Sequence, residues 1–128
     1  MTWTFSARSE RRLEGVHSDL IQVVRRALLL SPVDFIVLEG VRTPERQREL
    51  KAAGVTKTLN SRHITGHAVD LAPWLNNQIP WHDWHAFTMV ANAMKLAAVE
   101  LNILLTWGGE WQSLRDGPHF ELPWEVYP

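Results

Sequence analysis

Ser61-Arg62-His63-Ile64-Thr65-Gly66-His67-Ala68-Val69-Asp70 is the stretch on which the reading of this chain turns. Residues 67–72, His-Ala-Val-Asp-Leu-Ala, predict a strand. Alternation puts Ala68 and Asp70 on one face and Val69 and Leu71 on the other. His63 falls in the loop ahead of that strand, and Gly66 between them permits a tight approach. Ala68, small and beside Asp70, leaves room on the same face. An imidazole and a carboxylate are thus delivered to one place by a loop and a strand.

Working outward, the flanking segments predict helices and a few short strands. Ser6 suits an N-cap for a first helix reaching about Leu13, ended by Gly15. From Ser18 to Leu30 the apolar set Leu20, Ile21, Val23, Val24, Ala27 and Leu28 has helical spacing, and Ser31-Pro32 stops it. Asp34–Glu39 predicts a strand. Thr43 as cap, Pro44 in the first position and Gly54 after the end predict a helix over 44–53, with Arg42 just before it. A long helix is expected from about His82 to Leu101, with Trp84, Phe87, Ala91, Met94, Ala98 and Leu101 facing inward. Ile103–Thr106 predicts a strand, Gly108-Gly109 a turn and His119–Leu122 a last short strand. The expectation is one small α+β domain over 1–128, a short, mainly antiparallel sheet flanked by helices, with the His63/Asp70 site on the sheet.

Composition narrows the function classes. The chain has 128 residues, no cysteine, seven tryptophans and six histidines. Without cysteine there are no disulfides, thiolate metal sites or cysteine nucleophiles. Net charge is −1, which argues against a nucleic-acid partner. The sum hides a split: residues 1–62 carry eleven Lys/Arg and seven Asp/Glu, residues 63–128 two and seven. The basic half reads as a solvated helical surface or as attraction to an anionic polymer. No signal peptide and no stretch of about 20 apolar residues is visible, so synthesis in the cytoplasm and no membrane insertion are expected.

His63 and Asp70 together suit a zinc ion, but catalytic zinc needs three protein ligands and an open position. His119, after the turn Asp116-Gly117-Pro118, supplies the third candidate. Asp116, three residues earlier, could reach a zinc-bound water without being a ligand.

The pattern Ser-x-His-x-x-Gly-x-Ala-x-Asp, followed much later by an acidic residue three before a His, resembles a family of zinc peptidases. It includes D-Ala-D-Ala carboxypeptidases and dipeptidases, and phage endolysins that are L-alanyl-D-glutamate peptidases. The resemblance is closest to the endolysins. It extends to Gly15-Val16-His17, Gly40-Val41-Arg42-Thr43, Glu45-Arg46-Gln47, Trp107-Gly108-Gly109-Glu110-Trp111 and Pro118-His119-Phe120-Glu121, about residues 9–122. It implies one zinc ion bound by His63, Asp70 and His119, with Asp116 as base and Arg42 contacting substrate or oxyanion. It implies Ser61 beside the site, holding the substrate, with Gln47 a further candidate for that task. The implied substrate is the peptidoglycan stem peptide, cut between L-Ala and D-Glu to lyse bacteria. Terminal D-Ala removal and a non-catalytic zinc-stabilised wall-binding domain are the alternatives. An endolysin of this kind is expected to be a monomer without a separate wall-binding module. It would reach the periplasm and wall through a pore made by another protein.

Several residues carry two readings. Glu121 rivals Asp116 as base or hydrogen-bonds a ligand from behind. Trp107 and Trp111 wall a substrate groove or simply pack. His67 points away from Ala68 and is expected not to be a ligand. His82 and His85 read as surface or capping residues, His17 as structural, and Trp84 as core by periodicity.

Overall fold

A computed structural model describes residues 3–56, 58 and 61–128. Helix α1 (Ala7–Arg12) begins where the Ser6 hydroxyl accepts the Ser9 backbone N–H, satisfying a first-turn donor that has no intrahelical partner. Helix α2 (Ser18–Leu30) is capped by His17, whose Nδ1 accepts the Asp19 N–H. Strand β1 covers Phe35–Glu39. Helix α3 (Pro44–Ala52) is capped by the Thr43 hydroxyl, as the sequence predicts. Strand β2 (Ala68–Pro73), helix α4 (Trp84–Leu101), strand β3 (Thr106–Trp107), a 3-10 turn at Gly108–Glu110 and strand β4 (His119–Glu121) complete the chain.

The four strands form one antiparallel sheet in the order β1-β2-β4-β3. Helices α2 and α4 pack on each other; α1 lies against β1 and α4 against β2. Val37, Val69, Leu71 and Phe120 are fully buried beneath them, joined by Leu20, Val23 and Val24 of α2 and Val90 and Met94 of α4. Buried alanines at 86, 91, 93, 97 and 98 let α4 sit close to its neighbours. With one face of the sheet given to this core, the other is free for polar groups: Asp70 and His119 alternate with Val69, Leu71 and Phe120.

Three expectations shift. Helix α4 starts at Trp84 rather than His82, because the Asp83 carboxylate accepts the Ala86 N–H and caps it. Trp84 is 42% exposed rather than core. It sits in the first turn, where the helix overhangs the packed layer, and its ring lies 5.7 Å from that of Trp107 and 4.7 Å from the Arg115 guanidinium carbon. Phe87, Ala91, Met94 and Ala98 of the expected stripe are buried, while Leu101 is half-buried at the core's edge. Strand β3 is Thr106–Trp107 rather than Ile103–Thr106, since short β4 offers it only Glu121 and Phe120. Ile103 instead donates to Ala98 O at the close of α4.

One irregularity aims the site. The β1–β2 register slips between Val37 and Glu39, so that Val37 faces Leu71 but Glu39 faces Asp70. A bulge of this kind re-aims a strand end.

Candidate metal centre

Asp70 and His119 are direct partners across β2 and β4, which sets their side chains side by side on one face. Asp70 Oδ1 is 3.3 Å from His119 Nδ1 and 3.3 Å from His63 Nε2. His63 reaches them from loop 61–67, which is folded tightly on itself. The His63 N–H donates to Ser61 Oγ at 3.2 Å, and the His63 carbonyl accepts from Arg42 at 3.0 Å and Gly66 at 3.3 Å. Gly66 has φ of +79°, and a Cβ there would stand 2.7 Å from the Gly15 carbonyl oxygen. Only glycine serves both demands.

The second nitrogen of each imidazole is taken. His63 Nδ1 lies 2.8 Å from the Gly40 carbonyl oxygen, and His119 Nε2 lies 2.7 Å from Glu121 Oε1. Both oxygens only accept, so in a metal-binding form these nitrogens carry the protons and the other nitrogen of each ring turns a lone pair toward Asp70. His63 Nε2 and Asp70 Oδ1 are buried and have no hydrogen-bond partner among the described residues. In that form three acceptors face one another inside the protein, an arrangement that a cation satisfies. One ligand atom from each of His63, Asp70 and His119 lies within 4.8 Å of the others, and His63 is only 2% exposed.

Protons feel the same field. Burial disfavours a charged His119, but the Asp70 and Glu121 carboxylates outweigh it and push its pKa up to about 9. Burial likewise opposes a charged Asp70, and the two imidazoles override it, holding its carboxyl well below the usual range.

Asp116 lies beyond this group but in the same cleft, a cavity of about 660 Å³ that also takes in Arg42 and Ser61. Its N–H donates to Gly108 O at 3.0 Å, and its carbonyl accepts from the His119 N–H at 3.2 Å. Gly108 allows this approach: a Cβ there would meet Asp116 O at 2.6 Å and His119 Cβ at 3.0 Å. Burial, then the like charge of Asp70, pushes the Asp116 pKa up, against the pull of His119, His63 and Arg42.

Arg42 is braced on three sides. Its Nε binds Glu39 Oε1, its Nη1 donates to Gln47 Oε1 at 2.7 Å, and its Nη2 is 3.8 Å from Asp70 Oδ2. Gln47 is 1% exposed and also donates to Thr58 O at 2.6 Å, so it orients Arg42 rather than lining the cleft. Trp107, read as a groove wall or as simple packing, is buried in the core and donates its indole N–H to Gly117 O at 2.7 Å. Trp111 lines the cleft instead, with its ring 5.1 Å from that of His119. His67 lies ahead of β2 and pairs with Thr65 Oγ1, away from the ligand group.

Sequence reasoning did not single out Glu39, the Gly40 carbonyl or Arg62. The first depends on the bulge, the second is backbone, and Arg62 carries no periodic signal. The assembled site holds three donors for a cation, an open side toward the cleft, a carboxylate with raised proton affinity and a guanidinium. That set suits hydrolysis at a polarised carbonyl.

Comparison with known proteins points the same way. Residues 1–122 match the family described as phage L-alanyl-D-glutamate peptidase. The chain is 40% identical to the L-alanyl-D-glutamate peptidase of Escherichia phage T5, covering 91% of this chain and 87% of that one. It is 29% identical to the peptidoglycan L-alanyl-D-glutamate endopeptidase CwlK of Bacillus subtilis (strain 168), covering 84% and 75%. The crystal structure of the Serratia marcescens L-Ala D-Glu endopeptidase ChiX superposes with a TM-score of 0.91 at 49% identity, covering 97% of this chain and 92% of that one. By sequence and by fold, this chain belongs to the phage L-alanyl-D-glutamate peptidase family.

Proposed function

We propose that this protein is a zinc-dependent endopeptidase that cuts the bond between L-Ala and D-Glu in the peptidoglycan stem peptide. The observation that carries the reading is the convergence of His63 Nε2, Asp70 Oδ1 and His119 Nδ1, the other nitrogen of each imidazole held by an oxygen, beside Asp116 in one cleft. The names of the relatives supply the bond and the polymer. Two imidazoles and one carboxylate are the donor set of catalytic zinc sites.

When bound, zinc supplies Lewis-acid chemistry: it polarises the scissile carbonyl and lowers the pKa of water. The chain's own residues do the rest. Asp116 accepts the proton of the attacking water on its carboxylate and returns it to the departing amine of D-Glu. Its raised proton affinity suits both halves of that task. Arg42, held by Glu39 and Gln47, keeps its guanidinium beside Asp70 and offers positive charge where the carbonyl oxygen becomes an anion. Glu121 keeps His119 in the tautomer that frees Nδ1. Ser61, on the cleft wall, positions the peptide backbone.

The proposal extends to a monomer acting on wall peptide reached through a pore made by another protein. No helix among the described residues is long and apolar enough to cross a membrane. Mass spectrometry of muropeptides digested by zinc-loaded protein tests the central claim. New amino-terminal D-Glu and free L-Ala ends are expected; loss of terminal D-Ala alone would overturn it. Elemental analysis of purified protein tests the metal, with one zinc per chain expected.

A further inference from the structure

Arg62 is 3% exposed and lies between Ser61 and His63 in sequence, yet its side chain turns away from the ligand group. Its Nη2 donates to the Leu122 carbonyl at 2.9 Å and to the Tyr127 carbonyl, and its Nε reaches Leu122 O at 3.3 Å. Its guanidinium carbon sits 4.1 Å from the centre of the Trp124 ring. Its own carbonyl accepts from the His67 N–H at 3.0 Å and from Thr65 Oγ1 at 3.2 Å, closing the loop that presents His63. Leu122 follows directly on β4, which carries His119 and Glu121, and its N–H donates to His67 O at 2.9 Å. The segment beyond it is anchored in turn, since Tyr127 Oη donates to Asp19 Oδ2 at the start of α2.

We infer that Arg62 is a positioning residue for the metal: it staples the His63 loop to the strand end bearing His119, and segment 122–127 completes the site from behind. The bond pattern suits arginine. Its Nε and Nη2 serve the Leu122 and Tyr127 carbonyls while its planar face stacks on the Trp124 indole, a geometry that a lysine ammonium, lacking the flat guanidinium, does not reproduce. Relaxing the staple frees the His63 loop to drift relative to Asp70 and His119, and distances between ligand atoms are what set metal affinity.

The inference rests on the metal reading of the site, and one experiment separates the two. Wild type, Arg62→Lys and Trp124→Ala are titrated with zinc in competition with a chromophoric chelator, and melted in zinc and in chelator. Trp124 is surface-exposed, so its replacement keeps the fold testable if Arg62→Lys fails to fold. The expected result is zinc affinity at least tenfold weaker for Arg62→Lys and weakened in the same direction for Trp124→Ala. The rise in melting temperature on adding zinc shrinks accordingly. A merely structural role would lower both melting temperatures together and leave affinity unchanged. Folded variants with wild-type affinity overturn the inference while leaving the metal site standing. A wild type that binds no zinc overturns both.

Discussion

Replacing Glu121 with Gln keeps the shape of the side chain and its ability to accept from His119 Nε2, and removes only the charge. The wild-type contact is 2.7 Å between groups that are 8% and 14% exposed, so water has little room to substitute. Bonds to a charged group contribute about 1.5–3 kcal/mol and are roughly twice as strong as neutral ones. Losing the charge should therefore cost about 1–1.5 kcal/mol, or roughly tenfold in zinc affinity. That sits at the low end of the 10–100-fold range typical for partners of metal ligands. A second effect opposes it. Glu121 also raises the proton affinity of His119, which must release a proton to bind metal whenever the pH is below about 9. The Gln variant relieves that competition. The loss of affinity should thus be partial at pH 6.5 and grow toward pH 9. Chelator competition across that range provides the measurement. A loss that is larger at pH 6.5 than at pH 9, or no loss at any pH, would refute the assignment of Glu121 as the acceptor that fixes His119.

Further outcomes follow from the same geometry. Metal-free protein should lose stability as pH rises from about 6.5 through 9. The folded-state pKa of His119 is raised, so its contribution is complete below the unfolded value and disappears above the folded one. Melting temperature against pH in chelator should fall over that window and stay flatter in zinc. Asp116→Asn should lower the rate of muropeptide cleavage by roughly 10²–10⁴-fold while leaving bound zinc unchanged, because the proposed role of Asp116 is to move protons and it stands outside the His63, Asp70 and His119 group. Parallel kinetics and elemental analysis check both halves. Gln47→Ala should reduce kcat with bound metal retained, since it frees Arg42 Nη1 but touches no ligand. Gly66→Ala should destabilise the fold by about 1–3 kcal/mol, from the left-handed φ and the approach to Gly15 O, as measured by denaturant unfolding.

The clustering of His63, Asp70 and His119 was legible because it rests on residue type and on alternation. Asp70 lies on the face opposite Val69 and Leu71, and strand pairing then sets it beside His119. Helices α2 and α3 were legible from their ends, where Ser31-Pro32, Thr43-Pro44 and Gly54 each impose a local backbone constraint. What eluded sequence reasoning depends on relations between distant segments. The slip that turns Glu39 toward Asp70 leaves no mark in the alternation of β1. Trp84 and Trp107 differ in burial because one overhangs the end of α4 and the other pairs within the sheet on Phe120, and helical spacing cannot see the sheet's edge. The support of Arg42 by Gln47 joins a loop to a helix interior, where a polar side chain reads as solvated.

The antiparallel pairing of β2 with β4 also bears on the order of events in folding. Asp70 and His119 are separated along the chain by the whole of α4, so their meeting is a non-local contact, of the kind expected to form late in folding. The candidate metal site would then be an attribute of the finished structure rather than of early, locally ordered states. Zinc would accordingly contribute little to the speed of folding. Its binding energy would appear in the unfolding rate, lengthening the lifetime of the native molecule once the sheet has closed.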